Sequence, residues 1–278
     1  MVSDRVMIMR VYGMTAAVCA ALGLAACGTT AAPPSGLLSG YEGLAPREGV
    51  VRASIQQRRD EVLTSGIEQL FIEPAILAPG AGEGLTEMEQ RLVLREVDRQ
   101  ICYEVSERFT VLAEAAPGAG RVRAVVTRIT PTGRAASAAS AASGFFIPGP
   151  IGLRVPGTLG GLAAEAELLA ANDQGQAAAI LWSRDAQAVG TDNPSLSRVG
   201  DAVQLAEPFG DAVGDAFAPA DREVRAIADP DPCARFGPRF RPEGVAARFV
   251  TGLYSPELSG AQAEDDEPEA AQPAAPDR

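Results

Sequence analysis

Three groups of residues in this chain have types and spacings that can do chemistry. Cys27 follows Leu24, Ala25 and Ala26 and precedes Gly28 at the end of an apolar run. That pattern reads as a lipobox: a signal peptidase recognises Leu24, Ala25 and Ala26, the sulfur takes a thioether-linked diacylglyceryl group, and the chain is cut before the cysteine. Setting aside Cys27 and the upstream Cys19 leaves Cys102 and Cys233, two thiols that can oxidise to a disulfide in an extracytoplasmic compartment. Glu165 and Glu167 stand two residues apart, so on a strand both carboxylates point to one side. Paired carboxylates can serve as acid and base, but glycosidase-type chemistry needs two separately tuned groups flanking a cleft. Nothing around this pair suggests that cleft, and a solvated strand face is the expectation. The chain contains no histidine, which removes Ser–His and Cys–His nucleophile pairs, imidazole bases and the commonest metal ligand together. No catalytic, cofactor-binding or metal-ligating residue is assigned, and an enzyme is not expected.

The elements that must position Cys27 are those of an export signal. Arg5 and Arg10 make a positive start, and Val11 to Leu24 is an apolar, alanine-rich stretch. It is shorter than the ~20 residues of a comfortable membrane span and ends in small residues. Followed by Thr29-Thr30-Ala31-Ala32-Pro33-Pro34, it resembles the bacterial lipoprotein signal. Residues 1–26 are therefore expected to be removed and 27–34 to serve as a tether. One acyl chain holds a protein only marginally, at about 0.8 kcal/mol per buried methylene, whereas two or more anchor it stably. Gly28 rather than an aspartate after the cysteine favours the outer membrane, with the domain facing the periplasm. The expected partners are the membrane, through acyl chains on Cys27, and an envelope protein. Nucleic acid is not among them, because the 24 basic residues, all arginine, leave a formal charge of −12. Loss of Asp4, Arg5 and Arg10 makes it −13, and phosphate binding needs clustered cations.

Between tether and tail the pattern predicts one α+β unit over 35–218. Ile67 to Leu77 is rich in strand formers, with Pro74 demoting it toward an edge or bulge. Thr86 to Leu112 predicts a long helix: Thr86 and Glu89 have capping-box spacing, and Val93, Val97, Ile101, Val105 and Phe109 recur every fourth residue. Arg121 to Thr130 alternates as a strand, and Leu162 to Ala188 predicts two strands about a turn at Asn172-Asp173-Gln174-Gly175. Trp182 is expected to pack against the helices. Asp201 to Phe217 predicts a second helix broken near Pro208. The result is a single mixed α/β domain, an antiparallel-rich sheet packed against one long and one broken helix, with disordered tails. Residues 219–258 form an extension that Cys233 could staple to the first helix. Such a bridge closes about 130 residues, on the order of 4 to 5 kcal/mol before strain; two unpaired thiols are the alternative. Residues 259–278 hold six acids against one arginine and no core-forming residue, so disorder is expected.

Taken in order, Ser35-Gly36-Leu37-Leu38-Ser39-Gly40-Tyr41 with Leu44, then Ile72-Glu73-Pro74, then Ala164-Glu165-Ala166-Glu167-Leu168 resemble the bacterial lipoproteins grouped as domain of unknown function 3313. The resemblance covers about residues 35–218. This chain departs from it at Gly40, where an acidic residue is common, and in the extension after Phe217. The resemblance implies a periplasm-facing lipoprotein with a mixed α/β domain and supplies no activity. The functional expectation is a lipid-anchored envelope lipoprotein acting as a binding or structural module by tethered display. A membrane-active oligomer using the apolar, Pro- and Gly-broken residues 144–163, including Phe145 and Phe146, is the alternative. A carboxylate-based enzyme built on Glu165 or Glu167 is a third.

Overall fold

The computed structural model describes residues 29, 31–133, 152–153, 159–171, 175–187, 189–190, 192–237 and 242–259. The signal sequence and lipobox with Cys27, Phe145 and Phe146 with most of 144–163, turn residues 172–174, and 260–278 lie outside the described residues.

Alternation along the central strands builds a sheet with two buried faces. Its strands are β1 (Ala45–Pro46), β2 (Ser54–Arg59), β3 (Gln69–Ile72), β4 (Ile76–Leu77), β5 (Thr110–Leu112), β6 (Gly120–Thr130), β8 (Gly161–Leu169) and β9 (Gln176–Asp185). The order is β1-β2-β9-β8-β6-β3-β5, with β4 also on β6. The β2–β9–β8–β6 centre is antiparallel, whereas β3 runs parallel to β5 and β6. A short pair, β7 (Gly152–Leu153) with β10 (Val189–Gly190), stands apart. Pro74 falls in the gap between β3 and β4, because it cannot donate to a ladder. The buried Asp98 carboxylate instead takes the Ala75 amide at 2.8 Å, and β3 lies inside the sheet rather than at its edge.

The helices are α1 (Glu61–Ser65), α2 (Glu87–Ser106), α3 (Gly200–Phe217), α4 (Pro242–Thr251) and α5 (Pro256–Ser259). The capping box forms as its spacing predicts: the Glu89 amide donates to Thr86 Oγ1 at 3.2 Å and the Thr86 amide to Glu89 Oε2 at 2.8 Å. The helix ends at Ser106, short of the Leu112 expected from the four-residue period. Phe109 keeps the period because it enters the same core, but Thr110–Leu112 is parallel strand against Gln69–Phe71. The β-branched pair Thr110 and Val111 suits that pleat. Pro208 sits inside α3, at the position of the expected break, with helix on both sides.

One sheet face is dry. Leu162, Ala164, Ala166 and Leu168 of β8 join Ala178, Ile180 and Trp182 of β9 and the buried stripes of α2 and α3 in a continuous core. Trp182 packs on Phe209 of α3, centroids 5.6 Å apart. The two helices approach closely through glycine: a Cβ at Gly210 would lie 2.8 Å from the Gln100 backbone, and one at Gly214 would lie 3.0 Å from Glu104 Cβ. The extension wraps this layer. Cys233 is disulfide-bonded to Cys102 of α2 across 131 positions, the Tyr103 hydroxyl donates to the Gly237 carbonyl at 3.0 Å, and Ser195 Oγ donates to the Tyr254 carbonyl at 2.7 Å.

Candidate functional site: a carboxylate clasp on the N-terminal segment

The opposite sheet face is covered by the segment that follows the expected tether. Val125 of β6 and Ala179 and Leu181 of β9 form a small apolar floor with Leu38, Ala78 and Ala81, flanked by Leu37, Tyr41 and Leu44. Into this floor β8 directs Glu165 and Glu167, the two acids expected on a solvated face. The structure corrects that expectation: they are 2% and 0% exposed. Strand period two put both on one side as anticipated, but the side is roofed by residues 35–44, which alternation within β8 cannot reveal.

Burial of a carboxylate is tolerated only with its oxygens hydrogen-bonded, and here every partner is a donor from the roof or the neighbouring strands. Glu165 Oε1 accepts the Ser35 amide at 2.7 Å, and Oε2 accepts Ser35 Oγ at 2.9 Å and the Tyr41 hydroxyl at 2.8 Å. Glu167 Oε2 accepts the Ser39 amide at 2.9 Å and Gln176 Nε2 at 2.6 Å. Its Oε1 accepts Arg123 Nη1 at 2.9 Å and Ser39 Oγ at 3.2 Å. Tyr41 also closes the loop on itself, its oxygen accepting the amides of Gly36 and Leu38 at 2.9 and 3.1 Å. The turn needs a left-handed residue and has Gly36, φ +82°. Gln176 ties in the third strand: its amide donates to the Gly40 carbonyl at 3.1 Å and its Oε1 accepts both Nε and Nη2 of Arg58.

Arg123 is where the separate sequence motifs meet. It stands opposite Glu167 in the β6–β8 register, pairs with Glu167, lies 3.8 Å from Glu73, and donates to the Leu37 carbonyl at 3.4 Å. Ser35–Tyr41, Glu73 and Glu165–Glu167, which carried the family resemblance, are thus parts of one contact. Sequence reasoning named both glutamates and the Ser-Gly-Leu-Leu-Ser-Gly-Tyr segment but not their union, and it missed Arg123 and Gln176. The available signal was the alternation of Arg121 and Arg123 with valines, which placed two arginines on the strand face that the glutamates also use. Chemically the arrangement grips a segment. Its carboxylate oxygens are occupied by protein donors, which leaves no open face on either acid for a substrate.

A second concave feature lies between the helices, a polar cleft of about 700 Å³ lined by residues that include Arg52, Glu104, Arg184, Gln204, Asp211 and Tyr254. Partial burial, the nearby Asp211 and Glu107, and a hydrogen bond with Asp211 raise Glu104 to about 7. Burial raises Asp211 as well. Asp98, elsewhere under α2, is also pushed up to about 7 by burial, against the opposing Ala75 amide and the charges of Arg235 and Arg95. Among the described residues no group of three or more acidic or cysteine side chains is placed to hold a metal ion.

Two solved structures of the PelC dodecamer from Paraburkholderia phytofirmans, one of them of a point variant, are similar to this chain at 9% and 10% identity, each with a TM-score of 0.34. They cover 58% and 59% of this chain and 97% and 96% of their own. No curated protein matches the sequence. The profile of one family, described as "Protein of unknown function (DUF3313)", matches residues 33–213, a span that contains the whole clasp and the three strands that build it. The chain belongs to this DUF3313 family.

Proposed function

We propose that the protein is a lipid-anchored lipoprotein of the bacterial envelope, a binding or structural module displayed from the outer membrane toward the periplasm. In this reading residues 1–26 are removed as a signal, Cys27 carries the acyl chains, and 27–34 form the tether of a domain over 35–218. Residues 219–258 are an extension of that domain and 259–278 a disordered acidic tail. The observation that carries the reading is the clasp. Two buried glutamates and Arg123 are committed to holding the segment that begins eight residues after the acylatable sulfur. A tether that merely reached the membrane would need no such grip. One that must leave the domain at a defined point does, because a fixed exit sets which surface the anchored domain presents and confines it at high effective concentration to its neighbours. The disulfide fits an oxidising compartment.

The deciding experiment is labelling of growing cells with a radioactive fatty acid, with intact mass measured on the purified product. Label on the wild type and its loss in Cys27→Ser supports the anchor; an unlabelled wild type of unmodified mass overturns it. Crosslinking in intact cells then identifies the neighbour. A membrane-active oligomer built around residues 144–163 makes a different demand on the same preparation, namely a discrete high mass in detergent that collapses in a Phe145→Ser, Phe146→Ser variant. A monomeric mass favours display.

A further inference from the structure

Helices α2 and α3 meet where side chains are missing. A Cβ at Gly210 would lie 2.8 Å from the Gln100 backbone, and one at Gly214 would lie 3.0 Å from Glu104 Cβ, so the two backbones pack almost directly. That approach sets Asp211 of α3 against Glu104 of α2, and the two side chains are hydrogen-bonded to each other. A carboxylate only accepts hydrogen bonds, so this contact exists only while one of the pair is protonated. Both groups line the polar cleft of about 700 Å³ between the helices.

The proton stands where a cation would, because the arginines around the pair are engaged elsewhere. One turn further along α3, Asp215 takes Arg108 at 2.9 Å and Arg47 at 3.2 Å. On α2, Glu96 takes Arg99 at 2.6 Å, and Arg184, reaching the cleft from β9, is held by Asp192 at 2.8 Å. Arg52, from the segment before β2, and the hydroxyls of Tyr103 and Tyr254 complete the titratable lining. Arg108 still favours the charged form of both acids, but partial burial, Glu107 and, for Asp211, the neighbouring Asp215 oppose it. Glu207, one turn back on α3, is raised in the same way by burial, Asp211 and Glu96 against the pull of Arg99. Three acids therefore share one wall of the cleft, and among the described residues neither Glu104 nor Asp211 has an arginine at ion-pairing distance.

We propose that Glu104 and Asp211 form a proton latch on the α2–α3 seam: one proton shared between them keeps the helices closed along the cleft, and its loss to solvent leaves two facing carboxylates that loosen the seam. The hydrogen bond raises Glu104 and lowers Asp211, so in the closed state the Glu104 carboxyl O–H donates to the Asp211 carboxylate. A closed seam holds this proton up to about pH 7, whereas a loosened one, with both acids hydrated, releases it in the ordinary carboxylate range. By linkage the closed form is favoured at acidic pH and gives way as pH rises through neutrality. The glycine contact makes the seam responsive, because no side chain at 210 or 214 wedges the helices at a fixed spacing. The latch is independent of the anchor at Cys27.

The test is an NMR titration of the full processed protein with ¹³C-labelled glutamate and aspartate carboxyls, joined to amide hydrogen exchange at pH 5.5 and pH 8 corrected for the intrinsic pH dependence of exchange. The expected result is that the Glu104 and Asp211 resonances move together, with the last proton leaving near neutrality. Protection of amides over 100–108 and 207–214 should then fall about tenfold between pH 5.5 and pH 8, while amides of β8 and β9 hold theirs. Glu104→Gln and Asp211→Asn keep the shape of the pair and give the remaining carboxylate a permanent amide donor. Each should return that carboxylate to its ordinary range and leave the seam equally protected at both pH values, with unchanged Trp182 emission as the sign of an intact fold. Two carboxyls that titrate separately in the ordinary range overturn the proposal. So does seam protection that is the same at both pH values in the wild type, a loss that spreads equally to β8 and β9, or a loss that persists in both variants.

Discussion

The two faces of the sheet are both buried, yet by opposite means. The helix face joins Leu162, Ile180, Trp182, Phe209 and their neighbours in one continuous apolar core, and the cohesion of that core is the non-directional exclusion of water. The clasp face has a small floor around Val125 and Leu181 and is closed by Glu165, Glu167, Arg123 and the backbone of Ser35 and Ser39. Buried ion pairs are poor sources of net stability, since desolvation offsets most of their attraction, but they are exacting about geometry. The contrast teaches a division of labour. Apolar packing makes the domain stable, and the charged network decides where one particular segment lies.

The largest effect should come from the dry face. Phe209→Ala is expected to cost about 3–5 kcal/mol through the cavity it leaves beside Trp182, read as a drop in urea midpoint together with a red-shifted Trp182 emission. Arg123→Ala comes next, at about 3 kcal/mol, because it strips the charged donor from a fully buried Glu167 while Arg123 itself is a third exposed. A double-mutant cycle with Glu167→Gln should recover much of that loss, and a cycle showing no coupling would mean that the pair is incidental. Tyr41→Phe removes the hydroxyl shared by Glu165 and two amides and is expected to cost about 1–3 kcal/mol. Here the sharper reading is local: hydrogen exchange should quicken across 35–44 while Trp182 emission stays as in the wild type.

The smallest effect is one of pH. Asp98 and Glu104, raised to about 7, bind protons in the folded chain at pH values where the unfolded chain has released them. Between their ordinary carboxylate range and about 7 the native state therefore holds more protons, and stability falls as pH rises through that window. The melting temperature should be higher at pH 5.5 than at pH 8, and Asp98→Asn, whose side-chain oxygen still accepts the Ala75 amide, should flatten the slope. A melting temperature that rises with pH across this window would contradict the burial assigned to both groups.

Local chemistry, written in consecutive residues, was legible without a structure. The capping box at Thr86 and Glu89, the four-residue apolar period of α2, the alternation of β6 and β8 and the α+β class all depend on neighbours a few positions apart. Where reasoning from periodicity failed, another part of the chain intervened: Phe109 kept the helical count while Thr110 and Val111 were claimed by β3, and Glu165 and Glu167 were roofed by a segment more than 120 positions upstream.

The amino-acid sequence by itself determined the α+β class, the capping-box helix and the central strands, the acidity, the absence of imidazole chemistry and the order of the three motifs, because each is a property of composition or of short range. Only the tertiary structure decided that those motifs are one site. A buried carboxylate has to be satisfied by whichever donors the fold brings to it, and those donors lie on strands and loops whose proximity no local pattern records.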